Sequence, residues 1–542
     1  MTMSQAATPA QNWGSSAPPA ASPRAWRALI VLLIGMFMAL LDTTIVNVAL
    51  PTIRDHVNAN GTQAGEDVLS WIISGYALAF GIALIPAGRL GDRFGHKWVF
   101  FGGLALFTAA SLACGLAQSD IQLIVFRVIQ GLAGGIFVPA VTAYIQILFP
   151  GRIRGRAFAI MGAVLGVSSA LGPIVGGLII QAFGTENGWR LVFGVNVPIG
   201  IVALILAVAF VPSKKRVAEI APQAPEYART GGVDWIGLLL ITGGLVAILV
   251  PLIEGQDKGW PLWTFLTLAG GVVLIVLFAL WEISYTKRGR SPLVPPHLFS
   301  HPAFSGGTIL AFVYFAAFTS IFFTISLLWQ AGLGHTALES GLVSVPFAIG
   351  SIIGSAQSNR LSQRLGRNVL VIGTGLVLLS LVAVWLILLN VSAADITNWD
   401  LLVPLFFGGL GNGLFIAPNA QFIVATVDSS EAGAASGVIS TMQRVGAAVG
   451  IAVIGSVLFG IANLSSLTKE IPNKVAAALA AGKYTSPAAA SHAISKHLLA
   501  THFMTAAGGA MAVSAIFALV AFGLVFMLPR KLNQWGGAPA SH

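Results

Sequence analysis

The sequence predicts an all-α polytopic membrane protein with fourteen transmembrane helices. Three observations carry this. First, the 542 residues are 56% hydrophobic and only 9% charged, whereas soluble domains carry about 25% charged residues. Second, apolar runs of about 20 residues recur from end to end, each long enough to cross a roughly 30 Å hydrocarbon core. Third, Lys and Arg concentrate in alternate connections between those runs. Such continuous runs exclude a β-barrel, which needs short alternating segments.

The spans lie near 26–49, 68–88, 98–117, 121–148, 157–182, 190–211, 233–253, 262–284, 303–329, 337–358, 369–390, 400–426, 433–460 and 503–528. Proline and glycine interrupt several of them, as membrane helices tolerate. Residues 1–23 are rich in Ala, Pro, Ser and Gln and read as a disordered tail. Arg24 and Arg27 precede the first span in the manner of a signal peptide. The span is too long for one and lacks a small-residue cleavage site, so it is a retained helix. Residues 531–542 form a second tail.

Fourteen crossings put twenty Lys and Arg on one side, among them Arg24, Arg89, Arg93, Lys97, Arg154, Lys214, Arg360 and Arg530. Seven fall on the other: Arg54, Arg190, Lys258, Lys469, Lys474, Lys483 and Lys496. The positive-inside rule then places both termini in the cytoplasm. The longest connection, 461–502, is Ala-rich, lies outside, and carries a candidate amphipathic helix over 474–500.

The net charge of +10 does not point to nucleic acid, because the basic residues sit in short connections and form no extended patch. A single cysteine, Cys114, excludes an intrachain disulfide framework and a cysteine-ligated metal site. The His and acidic residues show no metal-ligand spacing, and no Gly-x-x-x-x-Gly-Lys-[Ser/Thr] loop for direct ATP use appears. Neither an enzyme nor a resident cofactor is indicated.

Two charges stand inside spans at comparable depth. Asp42 lies about 8 residues below the outer end of the first span and Arg127 about 6 below that of the fourth, or ~12 and ~9 Å. A carboxylate in hydrocarbon costs roughly 2.5–3.5 kcal/mol on insertion scales. Asp42 is therefore expected to face a polar cavity or a partner, where it can titrate, and Arg127 is the expected partner. Arg444, in the thirteenth span, is a further intramembrane charge.

An internal repeat organises the chain. Gly88-Arg89-Leu90-Gly91-Asp92-Arg93-Phe94-Gly95-His96-Lys97 joins spans two and three, and Asn359-Arg360-Leu361-Ser362-Gln363-Arg364-Leu365-Gly366-Arg367-Asn368 joins spans ten and eleven. Both read Arg-Leu-x-x-Arg-[Phe/Leu]-Gly. Their correspondence divides the chain into a six-helix unit at 24–211, an inserted pair within 212–300 and a second six-helix unit at 301–530, a 6+2+6 arrangement. Parallel six-helix repeats build one class of secondary transporter, with the substrate site between the halves near mid-membrane.

With these motifs in order, residues 24–530 resemble the major facilitator superfamily, and more closely the 14-helix drug:H⁺ antiporters of the EmrB/QacA type. Leu41-Asp42-Thr43-Thr44-Ile45-Val46-Asn47-Val48-Ala49-Leu50-Pro51 is similar to the helix-1 signature. Gly88 to Lys97 is similar to the loop 2–3 signature, and Arg127-Val128-Ile129-Gln130-Gly131 to the helix-4 signature. Gly166 through Gly172-Pro173-Ile174-Val175-Gly176-Gly177 resembles the helix-5 antiporter signature. Asp234-Trp235-Ile236-Gly237 and Glu254-Gly255 bound the seventh span, as is common in the subgroup.

The resemblance implies a proton-coupled exporter of lipophilic or cationic compounds in the bacterial plasma membrane, with protons as coupling ion and no cofactor. It assigns gating of the outward-facing state to Gly88, Asp92, Arg93, Gly95 and Lys97. It assigns a seal between spans five and ten to Gly166, Gly172, Pro173, Gly176 and Gly177. Gln363 stands where the first repeat has Asp92, so the latch is expected to be asymmetric. Candidate cavity residues are Asn47, Tyr144, Tyr314, Gln330, Asn412, Asn419, Gln421 and Arg444. A proton-coupled metabolite symporter shares the fold, and a non-transporting membrane sensor is the reading from another class. No residue pattern specifies a periplasmic adaptor.

Overall fold

Helix starts follow the local sequence. Ser22 accepts a hydrogen bond from the Ala25 N–H at 3.2 Å, with Pro23 at the first helical position. Ser119 caps the fourth helix in the same way, and Thr336 with Glu339 forms a capping box. The computed structural model describes residues 22–58, 66–149, 151–220, 234–290, 292–428, 431–481, 483–484 and 486–530. Among the described residues the regular elements are helices, and fourteen segments are long and apolar enough to cross a membrane, as expected.

α1 (Pro23–His56), α2 (Glu66–Phe94), α3 (His96–Leu116) and α4 (Asp120–Leu148) supply one span each. α5 (Gly151–Gly194) reverses at Gly184, where φ is 78°, and with α6 (Asn196–Phe210) supplies the next two. α7 (Lys214–Ile220) is short, and α8 (Trp235–Asp257) and α9 (Leu262–Lys287) form the inserted hairpin. The second six-helix unit follows: α10 (Pro302–Leu327), α11 (Ala337–Val343) with α12 (Val345–Leu365), α13 (Asn368–Asn390), α14 (Asn398–Val424), α15 (Ala432–Ala462) and α17 (Pro487–Leu524). α16 (Leu464–Ala480) lies before the last span.

Three expectations are revised. The 474–500 amphipathic helix does not form as one piece: α16 covers its first part and a new helix starts at Pro487. Ser486 caps that start, accepting from the Ala489 N–H at 3.1 Å, and Pro487 has no N–H to extend a preceding helix. α1 continues to His56, so Asp42 lies fourteen residues from its end rather than eight. Ser22 and Pro23 already belong to the start of α1, while 1–21 and 531–542 lie outside the described residues.

Two large apolar clusters form the core, and the one centred on the first bundle reaches across to Phe304, Ile423 and Ala435 of the second. The first centres on residues such as Leu32, Phe100, Phe107 and Phe137, and the second on Leu310, Val377, Leu405 and Met511. Phe137 meets Phe100 and Phe107 edge-on, with ring centres 5.6 and 5.8 Å apart. The bundles meet along two seams, α5 with α12 and α2 with α15. At the α2–α15 seam the backbones touch, and a Cβ on Gly88 would stand 2.1 Å from the Gly433 carbonyl oxygen. Only glycine permits that approach. The inserted hairpin lies beside this seam, where Trp260 Nε1 donates to Ser456 Oγ at 2.8 Å.

Candidate functional site

Asp42 on α1 and Arg127 on α4 meet inside the first bundle, 0% and 1% exposed. Arg127 Nη1 donates to Asp42 Oδ2 at 2.5 Å. Gln130, three residues on and therefore on the same helix face, donates from Nε2 to Asp42 Oδ1 at 2.9 Å and to Ser111 Oγ at 2.6 Å. Its Oε1 accepts from Arg127 Nη1 at 2.7 Å. Asn196 of α6 donates to Asp42 Oδ1 at 2.8 Å. Arg127 Nε donates to the Ile72 carbonyl at 3.1 Å, and its guanidinium lies 4.1 Å from the centre of the Tyr76 ring.

The carboxyl group therefore has a partner rather than an open cavity, and all these partners belong to the first bundle. Breaking a buried ion pair costs about 3–5 kcal/mol. Every contact to Asp42 comes from a donor, so a proton arriving there displaces one of them and leaves Arg127 facing a neutral group. The contacts among α1, α4 and α6 then rearrange. Gln130, Asn196, Ser111 and Tyr76 were not singled out from sequence. Gln130 was signalled by its spacing from Arg127, and Asn196 by being an amide at the head of an apolar stretch.

A second cluster joins the bundles at the end bearing the basic connections. Asp92 accepts from the Gly433 and Ala434 N–H groups at 3.1 and 3.2 Å, capping the start of α15 from the other bundle. A carboxylate is favourable at a helix N-terminus. Arg93 is exposed and lies over the Phe94 ring; Arg89 (3.9 Å) and His96 (3.2 Å) approach Asp92 instead. Gly95 turns the chain at φ 93°, and Lys97 Nζ donates to the Val208 carbonyl at 2.9 Å within the first bundle. Ser436 Oγ donates to the Pro139 carbonyl at 2.9 Å and is hydrogen-bonded to Thr142, tying α15 to α4.

The helix-5 stripe divides. Gly166, Pro173 and Gly177 face Ser351, Gly341 and Leu338 across the α5 seam. Gly172 and Gly176 face Thr44 and Ile45 of α1, so they pack within the first bundle rather than sealing the seam. Helical rotation of about 100° per residue separates the two sets.

The remaining candidates scatter. Tyr314 donates to Asn412 Oδ1 at 2.9 Å, and Asn412 Nδ2 to Ser351 Oγ at 3.0 Å. Gln421 Nε2 crosses to the Gly155 carbonyl at 3.4 Å. Asn419 donates to the Gly307 carbonyl at 3.3 Å and Gln330 to Ser326 at 2.7 Å, both within the second bundle. Tyr144 is buried and donates to the Pro212 carbonyl at 2.8 Å, beside His96, so it braces a helix end. The side chain of Asn47 lies outside the described residues. Arg444, part-buried on α15, makes no ion pair among the described residues and lies 4.1 Å from the Phe80 ring centre. Two buried carboxyls of the hairpin, Asp234 and Glu282, are occupied structurally: Trp281 Nε1 donates to Asp234 at 2.9 Å and the Val294 N–H to Glu282 at 3.1 Å.

Residues 32–451 match the model of the Major Facilitator Superfamily. The chain belongs to that superfamily. It is thus a multi-pass membrane transporter and not an enzyme. Among superfamily relatives, it is 34% identical over 452 residues to the "Probable actinorhodin transporter" of Streptomyces coelicolor, covering 83% of this chain and 75% of that one. It is 32% identical over 436 residues to the "Tetracenomycin C resistance and export protein" of Streptomyces glaucescens, covering 80% and 76%. Among solved structures, the human organic anion transporter MFSD10 (TETRAN) superposes with a TM-score of 0.61 at 15% identity, over 93% of this chain and 100% of that one. That likeness speaks for the fold alone.

Proposed function

We propose that this transporter exports lipophilic small molecules, driven by protons moving inward, and that Asp42 takes up and releases the proton. The observation that carries this is the buried Asp42–Arg127 pair, with Gln130 and Asn196 completing the carboxylate's contacts. Charges inside membrane spans mark ion or substrate paths, and this pair is built so that one proton rearranges three helices. The names of the relatives, an export and resistance protein among them, support the outward direction. One inward charge supplies about 2.3 kcal/mol per 100 mV.

The residues 24–211 and 301–530 are the two units that rock, with 212–300 beside them. Asp92, Gly88 and Gly433 hold the closed end of an outward-facing state, on the cytoplasmic side of a bacterial plasma membrane, with both termini on that side. Arg127 and Gln130 act as positioning residues for Asp42.

The test is reconstitution in proteoliposomes with an imposed pH gradient. Asp42→Asn should abolish substrate-dependent proton flux, while Asp42→Glu should retain it with a displaced pH profile. Gradient-driven export by a correctly folded Asp42→Asn protein at the wild-type rate would end this reading.

A further inference from the structure

We propose that Arg444 is the anion-recognising residue of a binding site between the bundles, and that the exported compounds carry an acidic group. This rests on the transport reading above and departs from the expectation of cationic substrates.

Depth is the first argument. Arg444 follows Ala432, the first residue of α15, by twelve positions, or ~18 Å at 1.5 Å per residue. That is near the middle of a roughly 30 Å hydrocarbon core, the level at which transporter sites form between repeats. Direction is the second. Gly433 and Gly437 contact α2 at Gly88 and at Leu84 and Ile85. Arg444 follows Gly437 by two helical turns and continues that stripe, and its guanidinium lies over Phe80 of the same α2. The side chain therefore points into the seam, above the point where the two backbones touch.

Charge is the third argument. Arg444 has no hydrogen bond or ion pair among the described residues, and it retains accessible surface. Asp42 is already engaged by Arg127, and the Tyr76 hydroxyl is spent on the Ala39 carbonyl at 3.1 Å. The surroundings thus leave one positive charge uncompensated at mid-membrane, where an unpaired charge is costly. A ligand anion supplies the missing partner. Arginine offers a planar fork that pairs both oxygens of a carboxylate. A cationic ligand would meet like charge.

Full-length protein in phosphatidylcholine nanodiscs is titrated with anthracene-9-carboxylate, anthracene-9-methanol and anthracene-9-methylammonium, which share one ring system and differ in charge. The carboxylate should bind tightest, about tenfold below the alcohol in Kd, with the ammonium weakest. Arg444→Gln should bring the carboxylate to the level of the alcohol, and Arg444→Lys, which keeps the charge, should restore most of the preference. An unchanged carboxylate-to-alcohol ratio in Arg444→Gln overturns the proposal. So does an ammonium that matches the carboxylate on the wild type, a result that needs no variant to fold. Binding is read without a gradient. Failure of proton-driven transport with the anion preference intact would therefore sink the antiport reading and leave this one standing.

Discussion

The two six-helix bundles share a plan and differ in chemistry. The first buries an ion pair, Asp42 with Arg127, inside a cage of amides. The second buries a neutral chain, Tyr314 to Asn412 to Ser351, with the Tyr314 ring stacked 3.7 Å from Phe415. Ser351 stands on the α5 seam, where a Cβ on Gly166 would lie 2.5 Å from its Oγ. A proton can reset the first arrangement, because it changes a charge. It leaves the second unaltered, because that chain has no carboxylate. On the proposed reading, coupling is confined to one half, while the other supplies a surface to move against.

The sharpest way to break this comparison is to neutralise each centre. Asp42→Asn with Arg127→Gln removes both charges and avoids an orphaned guanidinium, so the protein should still fold. Gradient-driven accumulation should fall by about 50-fold at 100 mV, since one proton's worth of driving force is lost. Tyr314→Phe leaves Asn412 Oδ1 without its donor, which costs about 1–3 kcal/mol of stability. Its export rate should change only a few-fold, with the pH profile kept. Transport assays across pH with both variants decide the matter. Equal losses in the two would show that the halves share the coupling role.

The connections repeat the asymmetry on a smaller scale. Asp92 reaches across to the N–H groups of Gly433 and Ala434, whereas Gln363, its counterpart, donates to Asn359 of its own helix at 3.2 Å. Removing a helix cap costs about 0.5–2 kcal/mol. Asp92→Ala should therefore shift the population away from closure at this end by about 2- to 30-fold. Gln363→Ala should shift it little. Spin labels on the α2–α3 and α14–α15 connections report the distance directly. A comparable opening from Gln363→Ala would remove the asymmetry.

How far these features were legible in sequence follows from what each depends on. The fourteen spans rest on run length and charge alternation, which are local, and they were readable. Asp42 and Arg127 were readable because charges inside spans are rare enough to demand a partner. Gln130 and Asn196 carried a signal in their positions, but neutral amides are common in helices and only the fold shows which carboxylate they meet. The Tyr144 contact with the Pro212 carbonyl was not legible, because helix rotation decides which group a polar ring meets and composition carries no rotation. The helix-5 glycines misled for a related reason: positions one turn apart share a face, so Gly172 and Gly176 went to α1 while Gly166 and Gly177 went to the seam. Which basic residue meets Asp92 was not legible, because Arg89, Arg93 and His96 all lie within four residues of it, and only the helix face brings Arg89 and His96 to it.

The smallest effect should be a pH dependence at the same closed end. His297 Nε2 lies 3.0 Å from Glu431 Oε2, just before the α15 start that Asp92 holds. Burial pushes the Glu431 carboxyl above its ordinary value; His297 and Arg89 oppose that shift and Asp428 adds to it. A carboxyl raised in the closed arrangement holds its proton there more firmly than in water. Its contribution to closure is therefore complete below the ordinary glutamate value and is lost as pH rises through the raised one. His297 is 55% exposed, so solvent keeps its opposing pull weak. Closure at this end should loosen slightly as pH rises from the ordinary glutamate value upward. His297→Ala, by removing the opposing cation, should extend that window to higher pH. The same label pair, read across pH, tests both statements. A distance that ignores pH in the wild type, or a window moved downward in His297→Ala, would detach Glu431 from the latch and leave Asp92 as its one acidic element.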